Sequence, residues 1–98
     1  MIDKAKFKED ILKICNDILE KNGEYNLMEE ISVMNMSSKI IFLGSLKVFD
    51  ESKIKTINNE LTKSLEKLGK LTIKHQRVVP CCSLPFEQIS FQITVFED

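Results

Sequence analysis

Residues 39–69 read KIIFLGSLKVFDESKIKTINNELTKSLEKLG, and within them the hydrophobic period changes once, from two to about 3.6. From Lys39 to Phe49 the pattern is that of a strand. Ile40, Phe42, Leu46 and Val48 share one face with Gly44 between them, while Ile41, Leu43 and Phe49 share the other with Ser45 and Lys47. Asp50 then opens a helix by offering a side-chain acceptor to the free N–H groups of its first turn, where Glu51 meets the positive end of the dipole. Ile54, Ile57, Leu61, Leu65 and Leu68 form one apolar stripe, Lys63 and Lys67 lie near its C-terminal end, and Gly69 is expected to stop it in the left-handed conformation. A strand that feeds an amphipathic helix needs a sheet for the helix to cover, and the flanking segments supply one.

Upstream, Phe7, Ile11, Ile14, Cys15, Ile18 and Leu19 recur at helical spacing, with Asp3 as the N-terminal cap and Asn22-Gly23 as the stop. From Tyr25 the period becomes two: Leu27, Ile31 and Val33 alternate with Met28, Glu30, Ser32, Met34 and Met36, which predicts a first strand. Asn35, Ser37 and Ser38 predict a short hairpin into the second. Downstream, Leu71, Ile73, His75 and Arg77 oppose Lys70, Thr72, Lys74 and Gln76 in a third strand. Pro80 and Pro85 frame a loop, and Ile89, Phe91, Ile93 and Val95 alternate with Gln88, Ser90, Gln92 and Thr94 in a fourth strand.

The order α-β-β-α-β-β predicts a single α+β domain over residues 1–98, a two-layer sandwich with both helices on one face of a four-stranded, mostly antiparallel sheet. With a right-handed crossover through the second helix, a permuted ferredoxin-like arrangement satisfies this, with strand order 3-4-2-1 and the C-terminal strand central. An α-β-β-α-β core of this kind also resembles, in topology alone, the cytoplasmic domain of cation-diffusion-facilitator transporters. No metal-binding motif of that family can be matched here, so the resemblance implies neither function nor site residues.

Composition removes several function classes. With Lys+Arg 14 against Asp+Glu 15, the formal net charge is −1, which gives no general field for nucleic acid. Lysine outnumbers arginine 13 to 1, so Arg77 is the sole guanidinium for bidentate contacts. Three glycines form no phosphate loop, and no G-x-S-x-G, H-E-x-x-H or kinase-like string occurs. The charged N-terminus reads as no secretory signal, and the longest apolar run, Ile40 to Leu43, falls far short of the roughly 20 residues of a membrane span. An odd set of three cysteines, two of them adjacent, predicts a reducing, cytoplasmic setting.

Sorting residues by face isolates one surface. With the helices over Leu27, Ile31, Val33, Ile40 and Phe42, the opposite face of the first two strands carries Met28, Met34, Met36, Ile41 and Leu43, while that of the other two is polar. Such a patch predicts a protein interface, homodimeric or with another protein, and the first strand is an open edge beside it. The expected function is a small non-catalytic protein-binding module: an adaptor, accessory or inhibitor protein, of the kind that phages and mobile elements encode, with no cofactor and no membrane or nucleic-acid partner. Two alternatives carry residues of their own. His75, Cys81 and Cys82 have the chemistry of a metal or ligand sensor or a thiol enzyme, although adjacent cysteines on an extended chain point apart and suit a loop plug against the core better. Lys70, Lys74 and Arg77 would serve a nucleic-acid-binding strand.

Overall fold

Two apolar helix stripes and one apolar sheet face have to be buried against each other, and the computed structural model, which describes residues 3–25 and 27–96, does so in one core. The elements are α1 (Lys4–Lys21), β1 (Ser32–Met36), β2 (Lys39–Val48), a 3-10 turn (Glu51–Lys53), α2 (Ile54–Leu65), β3 (Lys70–Val78) and β4 (Phe86–Phe96). The order α-β-β-α-β-β and the α+β class are those the sequence predicts. All neighbouring strands are antiparallel, in the order β1-β2-β4-β3, so the C-terminal strand is central. Phe42 pairs with Ile93 and Ile40 with Val95 along the helix-covered face. Ile11, Cys15 and Leu19 of α1 and Ile57, Leu61 and Leu65 of α2 close over it, all with no measurable exposure. Phe7 stacks on Phe42 with ring centroids 4.5 Å apart.

Local chemistry sets the ends of these elements. Asp3 accepts from the backbone N–H of Lys6 at 3.1 Å, and Gly23 leaves α1 at φ +80°, where a side chain would be strained. Asp50 accepts from the N–H of Ser52 at 3.0 Å, as a cap should, but the chain first makes a 3-10 turn before α2 begins. Gly69 departs from expectation, since it has no positive φ. The helix ends at Leu65, and Gly69 is required for space, because a Cβ there would lie 2.6 Å from the carbonyl oxygen of Thr94.

The largest difference from the sequence reading is in β1, which starts at Ser32 and not near Tyr25. Ser32 pairs with Leu43, so continuing the same register would pair Ile31 with Gly44, Glu30 with Ser45 and Glu29 with Leu46. Leu46 is 3% exposed on the core face, and a carboxylate brought against it would be desolvated without a partner. The chain leaves the sheet instead. On α1 the Asn16 amide takes over the hydrogen bonds of a ladder: its Oδ1 accepts from the Met28 N–H at 2.8 Å, and its Nδ2 donates to the Met28 carbonyl at 3.1 Å. Met28 and Ile31 are thereby buried over Gly44, while Leu27, expected in the core, is exposed. A Cβ on Gly44 would come within 2.6 Å of Phe91 Cζ and 2.9 Å of both Ile31 Cδ1 and Met28 Cε.

Two stability effects are expected from this junction. Gly44→Ala overpacks a filled core and should lower the unfolding free energy in urea by about 1–3 kcal/mol. Asn16→Ala strips both polar groups of Met28 of their partners and should cost about 1–3 kcal/mol in the same measurement.

Candidate functional site: the uncovered sheet face

Among the described residues no helix covers the second face of the sheet. Along it Met34 pairs with Ile41 and Ile41 with Thr94, while Met36 pairs with Lys39 and Lys39 with Phe96. Of the five residues the sequence assigns to this interface, Met34 and Met36 are 50% and 48% exposed, and Leu43 is half-buried beside Gln92 in register. Ile41 is on this face but only 7% exposed, since it sits in a strand flanked on both sides. Met28 is not on this face at all. It is 8% exposed and packs with the core, for the reason given by Glu29 and Asn16 above.

One contributor goes unnoticed in the sequence reading. Phe96, 62% exposed, continues the even-numbered row of β4 after Gln92 and Thr94 and adds an aromatic ring to the Met34/Met36 end. Carrying the alternation one residue further would have found it. At the opposite end of the sheet Phe49 packs against Phe86 with centroids 5.5 Å apart, and the Lys47 ammonium lies 4.9 Å from the Phe86 ring centroid. Ser45 and Ser90, paired in register, lie between the two apolar ends.

Three carboxylates near the helices, those of Glu24, Asp50 and Glu60, have structural partners. Glu24 is buried; its Oε1 accepts from the Phe49 N–H at 2.8 Å and its Oε2 from the Asp50 N–H at 3.3 Å, which satisfies the backbone where β2 turns into the 3-10 segment. The Ser52 hydroxyl and N–H hold the Asp50 carboxyl below its ordinary range. Glu60 is lowered by its bond to Lys21 Nζ at 3.0 Å and by Asn22, and so ties α2 to α1.

The other sequence candidates are exposed along β3 and the loop that follows it. His75 has helix-side parity, but it is exposed near the sheet margin, with Nδ1 3.7 Å from Glu87 Oε2. Lys70 and Lys74 project to the uncovered face, whereas Arg77 has the opposite parity and pairs with Glu51, with Glu87 at 3.7 Å. They are not one basic stripe, because odd and even positions of a strand face opposite ways. Cys81 and Cys82 do not plug the loop against the core: both are exposed, and their Sγ atoms lie together at 3.4 Å and not apart. Among the described residues no group of three or more His, Cys, Asp or Glu side chains is placed to hold a metal ion.

The fold and this face define the class, an α+β sandwich with one sheet face left open. Among the described residues no helix is long and apolar enough to cross a membrane. No protein-family model matches the chain, and no curated protein or solved structure is significantly similar to it.

The thiols are expected to separate sharply in reactivity. Burial pushes the Cys15 thiol up to about 12, so it has little thiolate at neutral pH, and it has no exposed surface. Iodoacetamide under native conditions should alkylate Cys81 and Cys82 and reach Cys15 only after denaturation, as read by intact mass and peptide mapping.

Proposed function

We propose that this chain acts by binding protein, through the uncovered sheet face and the adjoining edge of β1, and that one occupant of that surface is a second copy of itself. The observation that carries the reading is the grouping of Met34, Met36 and Phe96, each about half exposed or more, on a sheet face without a helix layer. Fully covering such a side chain is worth about 1.5–3 kcal/mol, so covering the exposed parts of these three recovers only a few kcal/mol. That is comparable to the lower bound, about 4 kcal/mol, of the entropic cost of association. The apolar face therefore needs a second contribution, and β1 has one: it is an edge strand, as β3 is at the other side, so one row of its backbone groups is free for a strand from a partner. Methionine suits such a surface because its flexible thioether repacks against different shapes.

Met34→Lys combined with Met36→Lys tests the reading with little disturbance of the fold, since both side chains already meet solvent. Sedimentation equilibrium should show wild type in a concentration-dependent monomer–dimer equilibrium and the double variant as monomer across the same range. A wild type that stays monomeric to millimolar concentration would remove self-association from the proposal.

A further inference from the structure

We propose that the free edge of β2 from Gly44 to Val48 is a second binding site, which accepts an extended, lysine- or arginine-bearing peptide strand. The proposal rests on the reading of the chain as a protein-binding module, but not on its apolar face. β2 is ten residues long, and β4 pairs with all of it, whereas β1 pairs only with Lys39 to Leu43. Residues 44–48 are thus paired on one side only, and no turn or loop backbone supplies the missing bonds among the described residues. Solvent can hydrate the N–H and C=O groups of that edge, but an occupant that replaces this water along the whole row needs a regular row of its own, which an extended chain offers and a helix or compact ligand does not.

The space for such a strand is open. Because Asn16 draws Met28 towards α1, the chain before β1 leaves the plane of the sheet, and a groove of about 530 Å³ remains between residues 27–30 and β2. At about 3.3 Å per residue the free edge is roughly 16 Å long, and the start of β1 at Ser32 blocks it at one end. The occupant therefore pairs over about five residues.

The wall of the groove indicates the side chains. Glu29 and Glu30 are exposed along it and have no ion-pair partner among the described residues. Lys47 also borders the groove, but its ammonium is drawn over the Phe86 ring on the uncovered face. The same two residues also border a cleft against α1 beside Lys8, but their carboxylates flank the position of an incoming strand, where basic side chains would be favoured.

The test uses the full chain and an end-blocked peptide, Lys-Thr-Lys-Val-Lys-Thr, followed by amide shifts and amide hydrogen exchange. Saturable shifts and slowed exchange at residues 44–48 are expected, with shifts at residues 27–30. N-methylation of alternate peptide nitrogens on the pairing side should abolish them. Glu29→Gln with Glu30→Gln should weaken binding by about fivefold to tenfold, as the loss of two exposed ion pairs predicts. An acidic counterpart, Glu-Thr-Glu-Val-Glu-Thr, should not bind. The Met34→Lys/Met36→Lys protein should bind the basic peptide as wild type does, so that failure of self-association and failure of this site are read separately.

The proposal is overturned if millimolar basic peptide leaves residues 44–48 unshifted, or if the shifts fall on Met34, Met36 and Phe96. It is equally overturned if the free protein already protects the outward amides of residues 44–48. Protection that rises with concentration would identify a second copy as the occupant, and protection at every concentration would identify the chain's own residues 27–31.

Discussion

The pair of hydrogen bonds from the Asn16 amide to the backbone of Met28 governs the arrangement of this molecule more than any other contact. A carboxamide presents one donor and one acceptor in a plane, as a neighbouring strand does, so a residue on α1 can complete the backbone of a segment that has left the sheet. That substitution lets Met28 and Ile31 descend together onto Gly44, where only a residue without Cβ leaves room for them and for the Phe91 ring. Helix layer, connecting segment and sheet are locked at one place. The length of β1, the open flank of β2 and the burial of Met28 all follow from it.

The helices satisfy one face of the sheet and leave the other to its own side chains. On the central strands this suffices, because neighbours on both sides cover Ile41 and Thr94 to 7% and 9% exposure. At the margins there are fewer neighbours, and Met34, Met36 and Phe96 meet solvent. Several charged groups serve as caps and ties: Glu24 under the Phe49 and Asp50 N–H groups, Glu60 between Lys21 and Asn22, and Arg77 between Glu51 and Glu87.

Much of the fold was legible in the residues because long periodic segments report their own conformation. The stripe Ile57, Leu61, Leu65 and the alternation Ile89, Phe91, Ile93 each specify a face by local repetition, and the structure buries all of them. The surface was half legible. Met34 and Met36 follow from parity, whereas Met28 defeats parity because residues 27–31 contain two competing burial patterns. Alternation would bury Leu27, Glu29 and Ile31; a step of three buries Met28 and Ile31 and leaves Glu29 in water. The second avoids a desolvated carboxylate, and the presence of Glu29 in that stretch was the signal. The contact between Cys81 and Cys82 was illegible for another reason: a loop between two prolines has no periodicity from which side-chain directions can be inferred.

By itself the sequence determined the α+β class, the order of the elements and the two helix stripes up to Leu65, beyond which Leu68 lies in a turn and not in the helix, since these depend on interactions between residues a few positions apart. Tertiary structure alone decided where β1 begins, that Gly69 is needed for its closeness to Thr94, and that five residues of β2 keep an open edge. Each of these depends on atoms distant in the chain: Asn16 and Met28, Gly44 and Phe91, Gly69 and Thr94. Hydrogen bonding and steric exclusion act at contact distance, and contacts of that kind exist only once the layers have come together.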